Sequence, residues 1–277
     1  MNRRTLLKTS VAGLFFAGTT GVAPLFAAPS EVPERIKAAG KLRIGGVTDA
    51  APTFRKDMRS DEWSGIFIDV GRALAEDMGV ELEIVTTTWG NSVLDLQADK
   101  IDLMFGLNPT PERRKAIDFS DAVFNNAFTL ICHEDAIFET WEEYNRPEIR
   151  IAVDAGSSHD ATVTRMLPKA TILRFESVAE ASIALQSGRA DAQCFVMMLG
   201  LPVVKKNPSM GTIVAPEPLQ ATTSHAGFQR TGDTALQDYV NAWLAERRES
   251  GFIQEAVIRN MALVGVTPED FPANVQL

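Results

Sequence analysis

"FIDVGRALAEDMGVELEIVTTTWGNSVLDLQADKIDLMFGL", residues 67–107, changes its hydrophobic period several times. Over 67–79, Ile68, Val70, Leu74 and Met78 fall near helical spacing, and Gly79 stops the run. "VELEIVTTT" alternates like a strand, "NSVLDLQADK" is helical, and "IDLMFGL" is an apolar run of the length of a buried strand. With the β-rich "KLRIGGVT" (41–48) ahead of it, the stretch makes a βαβαβ series, which argues for a mostly parallel α/β sheet.

The pattern restarts further along. "RIAVDAG", "TILRFES" and "ADAQCFV" read as strands, with "DATVTRMLP" and "VAEASIALQSG" as helices between them. A strand at "SHAGFQR" follows, then two amphipathic helices, "TALQDYVNAWLAERRESG" and "FIQEAVIRNM", split at Gly251. Two α/β units predict two lobes with a cleft between them. Ligands of open α/β sheets sit outside the carboxyl ends of the strands. The loops after "GGVT", "VTTT", "MFGL", "IAVD" and "QCFV" are therefore where binding chemistry is expected.

The chain of 277 residues suits one large domain or two lobes, and its net charge of -9, with no long basic run past the N-terminus, argues against a nucleic-acid partner. "MNRRTLLK", an apolar stretch and small residues at Ala27-Ala28 read as an export signal over residues 1–28. The Arg3-Arg4 pair resembles the twin-arginine type. The alternative is a retained anchor, for which the apolar segment is short. The expected location is the periplasm, as a monomer. Cys132 and Cys194 either pair or stay as buried thiols. Together with the scattered His133, His159 and His225 they show no metal-ligand spacing, so neither metal nor cofactor is expected.

The loop after "IDLMFGL" is "NPTPERRKAIDFS" (108–120). Thr110 is a good N-cap, Pro111 suits the first helical position and Glu112 the first turn. Arg113 then leaves a short helix at the mouth of the sheet, with a fork suited to a carboxylate. On spacing alone, a surface ion pair is the alternative.

"GLNPTPERRKAIDFSD" resembles the signature of the family 3 extracellular solute-binding proteins, the periplasmic receptors of polar amino-acid ABC transporters. Gly106, Asn108, Thr110, Arg113, Ile117, Asp118, Phe119 and Ser120 carry the likeness. "GKLRIGGVTDAAPTF", "WSGIFIDVGRALAEDMGVELEIV", "IAVDAGSS" and "SVAEASIALQSGRADA" are similar to further family segments in the same order, over about residues 40–260. The resemblance implies a two-lobed periplasmic-binding-protein fold of type II, each lobe a mostly parallel sheet flanked by helices. Two hinge strands are expected near "FTLICH" and "TSHAGF". Lobe 1 would hold 30–129 plus 225–277, and lobe 2 130–224. Lobe closure would bury a small carboxylate ligand and present the closed face to a membrane permease.

The resemblance also implies roles. Arg113 would bind the ligand carboxylate, and Asn108 stands where a hydroxyl usually assists. Gly106 would let the backbone approach, and Trp89, ending the second strand, would pack on the ligand. Asp49 matches a frequent contact position, with a turn-forming Asp as the alternative. Ser157 and Ser158, at the Gly156 turn, offer hydroxyl or N–H groups. Val196 is a departure, because relatives that bind α-amino acids place an Asp there for the ammonium. Asp154 is a possible replacement if it faces the cleft rather than water. An amino acid or amino-acid-like ligand is the first expectation and a non-amino organic acid the second. A cyclohexadienyl or arogenate dehydratase-like enzyme comes after these, with Asp49, Asp154 and His159 as possible acids. A separate sensor protein is a further alternative. The tail departs from the family, and Pro268 and Pro272 predict an irregular segment packed on the first lobe.

Overall fold

The computed structural model describes residues 32–271, so the export-signal stretch 1–28 and Pro272 lie outside the described residues. The first unit is built in chain order. Helix α1 (Glu34–Ala39) leads to β1 (Lys41–Gly46), a small meander β2 (Asp49–Ala50), β3 (Phe54–Lys56), β4 (Trp63–Ser64), and α2 (Ile66–Met78). Then come β5 (Glu81–Thr86), α3 (Ser92–Gln97), β6 (Leu103–Leu107), α4 (Pro111–Ala116), β7 (Ile117–Phe119) and the long β8 (Phe124–Cys132). Gly79 ends α2 in the left-handed region, its N–H reaching Ala75 O and Glu76 O, as the stop signal predicts. The meander β2-β3-β4 forms a separate sheet that the period-based reading did not anticipate.

The second unit holds α5 (Trp141–Tyr144), β9 (Arg150–Asp154), α6 (Ser158–Met166), β10 (Thr171–Phe175), α7 (Val178–Gln186), β11 (Ala192–Val196), α8 (Met197–Lys206) and β12 (Thr212–Val214). The chain returns through β13 (Ala221–Gln229) to α9 (Ala235–Glu249) and α10 (Phe252–Leu263). These two helices part at Gly251, which is left-handed at φ 81°.

The strand order is β10-β9-β11-β8-β13-β6-β1-β5. β1 pairs in parallel with β5 and β6, and β9 pairs in parallel with β10 and β11. β8 and β13 are the antiparallel members, each tied to the parallel strands of its own unit and to the other across Ala221–Ser224 and Phe124–Ala127. The result is a two-lobed, type II architecture whose lobes meet at two long neighbouring strands. Those strands contain the segments "FTLICH" and "TSHAGF".

Phe67, on α2, stacks on Phe105 of β6 and on Phe124 of β8, with ring centroids 5.8 and 5.5 Å apart. The core of the first unit thereby runs to the base of the crossing strands. Cys132 and Cys194 are free and buried. They sit on paired strands, but Cys194 faces Leu130 in the register, which resolves the open question in favour of thiols. Burial pushes the Cys132 thiol up to about 12, so it is inert at neutral pH. Among the described residues, no helix is long and apolar enough to cross a membrane.

The tail makes a contact that the sequence did not predict. Residues Pro268–Asp270 form a 3₁₀ turn, and Asp270 pairs with Lys205 of α8 in the second unit. Val266 is buried, and Phe271 packs against the core. Burial of these side chains, with the ion pair, holds the turn between the two units.

Candidate functional site

The site starts at the carboxyl end of β6. Gly106 has φ 85°, and a Cβ there would come within 2.7 Å of Phe67 Cε2 and 2.9 Å of Trp89 Cη2. Only glycine both adopts this backbone and lets the two rings close over it. Thr110 caps α4 by accepting from Arg113 N–H at 3.2 Å, with Pro111 in the first turn. The cap fixes the first turn and carries Arg113 inward rather than to the surface. The guanidinium is buried, at 6% relative exposure.

Arg113 finds no carboxylate at ion-pair distance among the described residues. Nη2 donates to Trp89 O at 2.8 Å and to Gly156 O at 3.5 Å, and Nη1 donates to Asn108 O at 3.3 Å. Burial lowers its pKa to about 10, and the more distant charge of Asp154 works against that fall. Trp89 lies in the loop three residues beyond β5 rather than ending that strand, and it is buried. Its indole N–H has no hydrogen-bond partner.

The second unit closes on this face. Ser158 Oγ donates to Asn108 Oδ1 at 2.8 Å, and Asn108 Nδ2 donates to Thr223 O at 2.9 Å. Ala155 O abuts Gly90 so closely that a Cβ on Gly90 would lie 2.5 Å from it. Asp49 accepts from Ala179 N–H at 3.2 Å in the first turn of α7. Burial pushes the Asp49 carboxyl up, partly offset by that bond.

His159 supplies the wall from α6. Its Nε2 accepts from Val196 N–H at 3.1 Å, so Nδ1 carries the proton and donates to Asp154 Oδ1 at 2.9 Å. Asp154 is buried: burial raises its pKa, but the His159 partner and the Ser157 hydroxyl hold it below the usual carboxylate range.

Between the units lies a small pocket. Its apolar wall is Phe67, Trp89, Gly106, Phe124, Val196 and Leu199, and its polar wall is Thr53, Asn108, Arg113, Asn126, Ser158, His159 and Ser224. Of the residues expected from sequence, Gly106, Asn108, Arg113, Trp89, Ser158 and Val196 come together here. Asp49, Asp154 and Ser157 do not line it. The idea that Asp154 and Asp49 both face the ligand meets a physical obstacle, since the first is bonded to His159 and the second to the α7 backbone. Ser157 instead caps α6, accepting from Asp160 N–H at 3.1 Å.

Sequence reasoning missed Asn126, Phe67, Phe124, Leu199, Thr53 and Ser224 as wall residues. It weighed His159 only as an acid, although its place directly after Ser158 was a usable signal. Asn126 sits on β8, and its Oδ1 accepts from Ala127 and Met198 N–H at 3.0 and 3.3 Å, which turns its NH₂ away from that pair.

A two-lobed α/β clamp that closes on a buried arginine and an enclosed cavity is the frame of a solute receptor. Residues 42–260 match the model of the bacterial extracellular solute-binding proteins, family 3, and the chain belongs to that family. It is similar to cyclohexadienyl dehydratase of Pseudomonas aeruginosa, 25% identical over 225 residues covering 80% of this chain and 83% of the relative. It is also similar to the glutamine-binding protein GlnH of a Bacillus subtilis ABC transporter, 28% identical over 227 residues, covering 79% and 81%. Among solved structures, an ancestral amino acid-binding protein described as a precursor of cyclohexadienyl dehydratase superposes with TM-score 0.71 at 31% identity. That match covers 80% of this chain and 96% of that one.

Proposed function

We propose that this chain is the exported receptor of an ABC importer and captures a small carboxylate solute by lobe closure. The observation that carries it is Arg113: a buried cation that lines the cavity, held by backbone carbonyls, with no carboxylate partner. A buried charge without a counter-ion is destabilising, and a ligand carboxylate would relieve it through charge-assisted hydrogen bonds. Relatives named as glutamine- and arginine-binding proteins of ABC transporters support the class.

In this reading Asn108 and Ser158 join the lobes over the ligand, and Trp89 and Val196 pack on its body. Gly106 leaves room for both rings. Asp49, Asp154 and Ser157 act behind the wall, on α7, His159 and α6. The working lobes are 30–129 plus 225–277 and 130–224, with the exchange inside β8 and β13. The receptor acts as a monomer in the periplasm, after cleavage of the signal near Ala27-Ala28, and delivers to a membrane permease.

Titration calorimetry on the mature protein tests the reading. Micromolar or tighter binding of a carboxylate solute, lost in Arg113→Ala with the fold retained, is expected. Unchanged affinity in that variant would remove Arg113 from the site.

The dehydratase-like alternative has one observation in its favour, the resemblance to the Pseudomonas enzyme. His159 argues against it, since its free nitrogen accepts from Val196 N–H and it offers no proton to the cavity. Product formation from prephenate by the purified protein would favour the enzyme.

A further inference from the structure

Among the described residues, the wall of this pocket contains no Asp or Glu, while the adjoining outer pocket that shares Asn108, Arg113 and Ser158 carries Glu112 and Asp160, the latter paired with Arg174. Its polar groups divide unevenly between donors and acceptors. Arg113 directs three N–H bonds to backbone carbonyls, and the rest of the guanidinium stays free for a ligand. Trp89 lines the pocket, and its buried indole N–H has no partner among the described residues. Asn126 has its Oδ1 occupied by two backbone N–H groups, which leaves its NH₂ to donate.

The acceptors, by contrast, are engaged. Asn108 Oδ1 takes the Ser158 hydroxyl. His159 Nε2 takes Val196 N–H. Thr53 Oγ1 donates to Ala50 O and keeps only neutral lone pairs to accept. The acids close to the cleft are engaged too: Asp154 Oδ1 on His159 and Asp49 Oδ2 on Ala179 N–H. What remains able to accept is neutral hydroxyl oxygen, at Thr53, Ser158 and Ser224.

An α-ammonium group brings a positive charge and donors only. In this cavity it would sit near the Arg113 cation with no anionic acceptor, an expensive arrangement in a buried space. A carboxylate with an extra oxygen acceptor suits every free group. The rings of Phe67, Trp89 and Phe124, with Val196 and Leu199, accept a compact apolar body.

We propose that the ligand of this site is a small carboxylate without an α-ammonium, a 2-oxo or 2-hydroxy acid with a compact apolar body. Its carboxylate meets Arg113, and its second oxygen accepts from Trp89 Nε1 or Asn126 Nδ2. Val196, in a wall without acids, is the residue that excludes the amine. This rests on the reading of the site as a carboxylate receptor.

The test is titration calorimetry on mature protein unfolded in denaturant and refolded, to strip carried-over solute. The probes are matched pairs: 4-methyl-2-oxopentanoate with L-leucine, and phenylpyruvate with L-phenylalanine, plus L-glutamine and L-arginine. At least one oxo acid should bind about tenfold or more tighter than its amino acid, with that affinity lowered about tenfold or more in Arg113→Met. An amino acid that binds as tightly as its oxo partner, or L-glutamine or L-arginine binding tighter than every oxo acid, overturns the inference. If that amino-acid binding also vanishes in Arg113→Met, the carboxylate-receptor reading survives. Failure of every carboxylate to bind overturns both. Val196→Asp should shift preference toward the amino acid of a bound pair by about tenfold or more, and an unshifted preference counts against the inference. If that variant does not fold, mass spectrometry of solutes released from the unstripped parent decides, and a released α-amino acid overturns the proposal.

Discussion

At the scale of single residues, Arg113 and the Asp154–His159 pair have opposite energetic roles. Arg113 is buried against carbonyls only, so it weakens the empty protein while binding strengthens it. Arg113→Met should therefore lower carboxylate affinity by about 1.5–3 kcal/mol, roughly 10- to 100-fold, by calorimetry. The melting temperature of the unliganded protein should hold or rise, and a fall would show that the guanidinium is structural. Asp154 is paired with His159, which holds its carboxyl below the usual carboxylate range against the effect of burial. A carboxyl with a depressed folded pKa stabilises the fold fully above its unfolded value and loses that contribution as pH falls through the folded one. Asp154→Asn should cost about 1–3 kcal/mol at neutral pH. It should also flatten the loss of stability below about pH 4, read from denaturant midpoints across pH. An unaltered acid limb would mean the pair contributes nothing there. The helix start that carries Arg113 was legible in the sequence because cap, proline and arginine are local, but its inward role was legible only through the family resemblance. His159 was not, since its partners lie at Asp154 and Val196, and the second of these is distant in sequence.

At the scale of elements, the short helix α4 exists to aim one side chain. Thr110 accepts from Arg113 N–H itself, so cap and ligand arm share a residue. Thr110→Ala should cost about 1 kcal/mol of stability in denaturant unfolding and weaken ligand binding in parallel. Binding unchanged with stability lost would separate the cap from the aim. Gly106 is a second device, because a methyl there meets both Phe67 and Trp89. The strands and helices of both units were legible because their periods differ and glycines close them. The meander β2-β3-β4 and helix α8 were not, since two- and three-residue strands have no period, and α8 carries Pro202 and Gly200 inside an apolar run.

At the scale of the molecule, Ser158 of α6 donates to Asn108 beyond β6, a direct polar contact across the cleft. Ser158→Ala should weaken ligand binding by about 0.5–1.5 kcal/mol. It should also enlarge the radius of gyration of the unliganded protein in small-angle X-ray scattering, as the open state gains population. An unchanged radius and affinity would remove this bond from closure. By itself, the sequence determined the α/β class, the two units, the crossing strands and the placement of Arg113 at the end of β6. The class, the units and the short helix bearing Arg113 follow from local periodicity, caps and strand-end logic, while the crossing strands were legible only through the family resemblance. Only the tertiary structure decided which polar groups share the cavity. It put His159 between Asp154 and the ligand space, drew Asp49 onto α7, tied the tail to α8 and left Trp89 Nε1 without a partner. Such outcomes depend on how groups from distant segments satisfy one another once buried, and no local pattern encodes that.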